Sequence, residues 1–148
     1  MKILIIYGSY STGTLTVSEH AQEYLQEMRH EVTLIEANKV QGVDIMEHEM
    51  TIMASPSWKV NGKQGMPHEY FFPMMERLQG QQFNKKFAVI SLGDESYALV
   101  NGSADHLTEF VKTLGGHLVG KPLKIEGFHF NKDKRLGELK SWLPIILA

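Results

Sequence analysis

Apolar residues along this chain fall into two alternating rhythms. Ile3-Leu4-Ile5-Ile6 is a continuous apolar run with no polar alternation, which predicts a strand over Lys2–Tyr7 buried on both faces, as in a parallel sheet. Val17, Ala21, Tyr24, Leu25 and Met28 then keep helical spacing. Thr16 and Glu19 form a capping-box pattern, with Ser11 or Thr12 as an earlier start for the same helix. The alternation continues with a strand over Glu31–Glu36, a strand over 51–55 ended by Pro56, and a long polar loop over 56–65 holding the turn pair Asn61-Gly62. A helix through Phe71, Met74, Met75 and Leu78 has Pro73 either near its start, where a missing N–H is tolerated, or as a kink within it. A strand over 86–92 leads to a helix through Leu107, Phe110, Val111 and Leu114 closed by Gly115-Gly116. An interrupted fifth strand (117–119, then 122–125) and a helix through Leu136, Leu139, Leu143 and Ile146 complete the pattern. Strand–helix alternation of this kind implies right-handed crossovers, hence an α/β fold with a doubly wound, five-stranded parallel sheet.

Composition narrows the class. With 148 residues, 43% of them hydrophobic and 22% charged, the chain is expected to form one globular domain over 1–148. No run approaches the roughly 20 apolar residues that cross a bilayer, and no secretory signal pattern precedes the first strand, so no membrane association is expected and a cytoplasmic location is. The absence of cysteine excludes disulfides, thiolate metal sites and cysteine nucleophiles. A net charge of −2 gives no basis for nucleic-acid binding, and the basic stretch near the C-terminus reads as a solvated face.

In a doubly wound sheet the ligand lies outside the carboxyl ends of the strands. Three loops meet that position, after the first, third and fourth strands. Ser9, Tyr10, Ser11, Thr12, Gly13 and Thr14 make the first. It lacks the lysine of a phosphate-transferring G-x-x-x-x-G-K-[ST] loop and the spacing of G-x-G-x-x-G. It reads either as a nest of hydroxyls and amides around one phosphate or as a polar connection with good capping residues. The second holds Ser55, Pro56, Ser57, Trp58 and Lys59, where the tryptophan either covers a planar ligand or lies on the surface. The third holds Ser91, Leu92, Gly93, Asp94 and Tyr97. Asp94 is suited to accept from a ring N–H and Tyr97 to stack, or the aspartate simply caps a turn. A flat, phosphorylated ring compound explains all three together. His48 lacks metal-site spacing and reads as loop surface, no histidine pattern suggests a metal, and no serine sits in a nucleophile elbow. Trp142, between Leu139 and Leu143, reads as packing for the last helix.

These residues resemble the short-chain flavodoxins over nearly the whole chain. Ser9, Ser11 and Thr14 take the hydroxyl positions of the family's [ST]-x-[ST]-x-x-T phosphate loop. Ser57-Trp58 is similar to the loop whose tryptophan covers one flavin face, and Gly93-Asp94-Glu95-Ser96-Tyr97 to the segment whose tyrosine covers the other. The resemblance implies a flavodoxin-like sheet in strand order 2-1-3-4-5, tightly but non-covalently held FMN, and electron shuttling between transient protein partners, a reductase donor and an acceptor enzyme, by a monomer. It also leaves an alternative, an FMN-dependent reductase or a ribonucleotide-reductase-activating flavoprotein on the same fold. The sequence departs from the family in two places. Thr12-Gly13 shifts the loop's glycine by one position, and Lys59 follows Trp58 where many members have glycine and then an acidic residue.

In the family the peptide after the tryptophan rotates to accept from the reduced flavin's N5–H, and a non-glycine residue makes a positive φ there costlier by roughly 1 kcal/mol. The one-electron-reduced flavin is therefore expected to be less stabilised than is usual, while Lys59 and Lys63 favour the anionic two-electron form. Stepwise reductive titration of the wild type and Lys59→Asp checks this. The variant's two-electron form should become harder to reach, and unmoved potentials would remove the lysine from the account.

Overall fold

The computed structural model describes residues 1–10, 12–93 and 101–148, with Thr12 described by its backbone alone. The strand β1 (Lys2–Tyr7) lies at the centre of a parallel sheet, paired with β2 (Glu31–Glu36) on one side and β3 (Met50–Pro56) on the other. The strand β6 (Lys86–Gly93) adds to β3, with Met50 opposite Lys86 and Pro56 opposite Leu92. Both halves of the interrupted last strand pair with β6. The first half, β7 (His117–Leu118), lies against Lys86 and Phe87; the second, β8 (Leu123–Glu126), runs from Ile90 to Gly93. The sheet order β2-β1-β3-β6-β7 is the expected 2-1-3-4-5.

Helices cover both faces, which is why the strands carry continuous apolar runs. Ile3, Ile5, Ile52 and Ile90 face α1 (Thr12–Glu27) and α5 (Lys132–Leu147), whose Val17, Ala21, Leu25, Leu139 and Leu143 are all fully buried. Leu4, Ile6, Met53 and Val89 face the opposite layer, formed by α3 (Phe71–Arg77) and α4 (Ser103–Thr113) with Phe71, Met74, Leu107 and Val111. Trp142 packs as expected and donates its indole N–H to the Lys121 carbonyl at 2.9 Å. Pro73 occupies the third position of α3, where the backbone needs no helical donor.

The first helix runs from Thr12, one of the earlier starts the sequence offers, because Thr14 and Val17 are already needed in the buried face. Three features differ from the sequence reading. The polar loop over 56–65 is a β-hairpin of β4 (Trp58–Val60) and β5 (Lys63–Met66). Asn61 (φ 51°) and Gly62 (φ 79°) form its turn; both central residues have positive φ, which matches the right-handed twist of the flanking strands. A short helix, α2 (Gly42–Met46), stands where no periodic pattern is long enough to be read; reciprocal bonds between Gln41 and Asp44 close its first turn. His48 is buried (6% exposed) with Nε2 3.2 Å from the Thr33 hydroxyl, so it is a satisfied core histidine and not loop surface.

The hairpin sits tightly on the start of α4. A Cβ added to Gly102 would lie 2.6 Å from Gly65 Cα and carbonyl oxygen, both backbone atoms that cannot rotate away. The exposed Gly137 in α5 has nothing within 4 Å of its Cβ position. Gly137→Ala should therefore raise stability by about 0.5–1 kcal/mol through helix propensity, whereas Gly102→Ala should lower it by about 1–3 kcal/mol through overpacking. Thermal unfolding of the two variants measures both, and equal shifts would contradict the assigned contact.

Candidate functional site

The carboxyl ends of β1, β3, β6 and β8 converge on one cleft. It is lined by Gly13 and Thr14 from the start of α1, Pro56, Ser57 and Trp58 after β3, Leu92 and Gly93 ending β6, and residues 127–130 after β8. Its empty volume is about 570 Å³ including the open mouth. Trp58 is 41% exposed on one wall, and Phe130 stands at the rim with 89% of its surface open.

The first loop is built from the strand outward. Parallel pairing delivers the end of β1 to the start of α1, whose first-turn N–H groups have no acceptor within the helix. No acidic side chain occupies that turn, so nothing on the helix itself opposes an anion there. Gly8 lets the buried His68 press against the chain, since a Cβ on it would fall 2.6 Å from His68 Cβ and Cγ. The His68 ring lies 4.1 Å from the Tyr10 ring, hydrogen-bonds the Ser9 backbone, and accepts the Tyr70 N–H at Nδ1 (3.1 Å). Tyr10 is in turn 5.5 Å from Trp58, and its hydroxyl oxygen accepts the Glu69 N–H at 3.1 Å. Tyr10 thus braces the tryptophan wall from behind and does not line the cleft.

Loops two and three are tied together by buried hydroxyls. Ser57 N–H donates to the Leu92 carbonyl at 2.6 Å. Ser57, Ser91 and Ser103 form a triangle with oxygen separations of 2.8, 3.2 and 2.6 Å, and the Ser103 N–H donates to Ser57 Oγ at 3.0 Å. Ser91 also donates to Asn101 Oδ1 at 3.2 Å, and Asn101 reaches Glu126 at the end of β8. The Ser55 hydroxyl accepts the His68 N–H at 2.8 Å and donates to the Pro56 carbonyl. These serines fix the loops' relative position from beneath.

Of the residues singled out in the sequence, Gly13, Thr14, Pro56, Ser57, Trp58, Leu92 and Gly93 come together in the cleft. Ser9, Tyr10, Ser55, Lys59 and Ser91 flank or support it, and Thr12 opens α1. Ser11, Asp94 and Tyr97 lie outside the described residues. The segment 127–130 was not anticipated. Gly127, in the left-handed region (φ 58°, ψ 45°), bonds the Gly93 carbonyl at 3.0 Å and turns the chain into a short 3-10 segment, Phe128–Phe130, over the cleft. The signal for it was present, because the rule that ligands gather at strand carboxyl ends applies to the fifth strand as well. Among the described residues no histidine and carboxylate cluster could hold a metal ion, and no helix is long and apolar enough to cross a membrane.

Comparison with known proteins agrees with this geometry. A family model described as Flavodoxin matches residues 5–138. The chain is 26% identical over 144 residues to a flavodoxin of Maridesulfovibrio salexigens, covering 95% of this chain and 93% of that one. It is 30% identical over 127 residues to a probable flavodoxin 2 of Bacillus subtilis, covering 84% and 82%. Its fold is similar to that of oxidised Flavodoxin 2 from Bacillus cereus, with a TM-score of 0.87 at 23% identity over 99% of this chain and 98% of that one.

Burial lowers the pKa of His68 below the ordinary imidazole value, with Glu69, Glu36 and the Ser9 bond offsetting only part of the shift. The folded state therefore favours the neutral ring, and the unfolded chain takes up the proton first as pH falls. This contribution to stability is complete above the ordinary value of about 6.5 and is lost progressively at lower pH. Chemical unfolding from pH 7.5 to 5 should show a steeper loss for the wild type than for His68→Gln. Parallel curves would show that the imidazole does not titrate differently on folding.

Proposed function

Because this chain belongs to the flavodoxin family, we propose that the cleft described above is its FMN site and that each loop takes one part of the cofactor. As a flavodoxin it is an FMN-binding electron carrier and not an enzyme, and the reductase alternative is not favoured. The observation that carries the assignment is the convergence of Gly13, Thr14, Trp58, Leu92 and Gly93 at the carboxyl end of one sheet. The donor chemistry fits the group. First-turn amides of α1 with the hydroxyls of Ser9, Ser11 and Thr14 suit a phosphate dianion, and Gly13 leaves the backbone open to it. Trp58 supplies a flat apolar wall for the ring and Leu92 and Gly93 line the cleft with it, while Asp94 and Tyr97 take their part in holding the ring from the family resemblance alone.

Bound FMN supplies the one- and two-electron chemistry, while the protein binds, orients and shields the ring. The serine triangle holds the two ring-covering loops at a fixed separation. The redox partners, a reductase donor and an acceptor enzyme, dock transiently over the exposed rim. Contacts of this kind are small in area, below about 1,200 Å². Residues 1–148 act as one domain and one monomer in the cytoplasm.

Fluorescence quenching of FMN on addition of the apoprotein measures the site directly. Trp58→Ala should weaken FMN about tenfold by removing a stacking wall, and a wild type that leaves FMN fluorescence unquenched would overturn the assignment.

A further inference from the structure

His129 brings a titratable nitrogen to the loop that otherwise has no cation. Its Nε2 lies 3.1 Å from the position a Cβ would take on Gly13, and both residues line the cleft. The imidazole reaches this place because Gly127 turns the chain in the left-handed region and the 3-10 segment Phe128–Phe130 carries it across to α1. The Phe128 ring, buried at 4% exposure and edge-on to His129 at 5.6 Å, anchors the segment beneath it. A side chain at position 13 would press on the imidazole and move it by a few tenths of an ångström.

We propose that His129 is a further binding residue for the FMN phosphate and that its imidazolium form makes the affinity for FMN depend on pH. The inference rests on the FMN assignment made above and adds to it a residue from outside the three loops that the sequence pointed to. Histidine is the side chain that changes charge between about pH 5 and 8, and a charged donor to a phosphate oxygen is stronger than a neutral one. Among the described residues, no ion pair engages His129. The first turn of α1 has no acidic group. The strand β8 ends in Glu126, within 3.4 Å of the Asn101 amide. At the start of α5 stand Asp133 and Lys132, the latter 6.0 Å from the Phe128 ring centre, and β4 carries Lys59 beside Trp58. None of these groups stands in for a phosphate at the Gly13 end of the cleft.

The test compares FMN and riboflavin binding to the wild type, His129→Gln and Gly13→Ala across pH 6 to 8.5. The phosphate's own second proton, near pH 6, acts on every protein alike, so the readout is the ratio of variant to wild-type dissociation constants. For FMN, His129→Gln should give a ratio of about 3 to 10 at pH 6 that falls toward 1 by pH 8.5. Riboflavin, which lacks the phosphate, should give a ratio near 1 throughout. Gly13→Ala should show a smaller change with the same pH trend by pushing the imidazole aside by a few tenths of an ångström, and that trend should vanish when it is combined with His129→Gln. An FMN ratio that does not change with pH, or an equal ratio for riboflavin, overturns the role of His129 while leaving the FMN site in place. If no protein in the set binds FMN, the site assignment and this inference fall together.

Discussion

Burial of the sheet on both faces is the constraint from which the rest of the molecule follows. Helices on either side leave β1, β3 and β6 no polar surface along their length, so polar function has to gather where the strands end. Parallel pairing then places all those ends on the same edge, because each crossover carries the chain back to the opposite edge before the next strand begins. Segments far apart in sequence, from Gly13 to His129, meet for this reason, with no long-range ion pair among the described residues drawing them together. The contacts between basic and acidic side chains among the described residues all join neighbours three positions apart on a helix, and pairs at this spacing contribute only about 0.2–0.5 kcal/mol each.

What holds the edge in shape is a set of neutral hydrogen bonds. The triangle of Ser57, Ser91 and Ser103 is buried, and its hydroxyls find their partners within it, on adjacent backbone and, for Ser91, on the Asn101 side-chain oxygen. A charged network in the same place would carry a desolvation cost and alter the field at a neighbouring redox ring. Hydroxyls, which both donate and accept, satisfy one another without adding charge. The wall on the other side works similarly, with Trp58 set on Tyr10, Tyr10 on His68, and His68 on Tyr70.

Most of the fold was legible because its signals are periodic and strong. The run Ile3–Ile6, the helical spacing from Val17 to Met28 and the split fifth strand each follow from where apolar residues fall. The elements that escaped notice are those set by local chemistry rather than by period. Five residues of α2 are too short to show a helical stripe, and the hairpin Trp58–Met66 is mostly exposed and polar, so only Asn61-Gly62 betrayed it. The site was legible where residue types are distinctive, as at Trp58 and the hydroxyl-rich first loop. At 127–130 only the position at the end of the fifth strand was legible; the roles of Gly127, Phe128 and His129 come from a left-handed turn and from proximity to Gly13, neither of which spacing encodes.

The first loop lies between two histidines, and burial decides what each can do. His68 is 2% exposed behind the loop, its Nδ1 taken by the Tyr70 N–H; protonating that nitrogen would break the bond and leave a charge among aromatic rings. Its service is shape, and it is rendered by staying neutral. His129 stands on the solvent side of the cleft, exposed and facing Gly13. A loop with no lysine or arginine is thus compatible with a site that has electrostatic control, provided the control comes from the last segment of the sheet to arrive. An imidazole on that segment also separates two demands that a lysine within the loop would combine, since the loop's conformation is set by packing and the polar group that faces it comes from outside the loop.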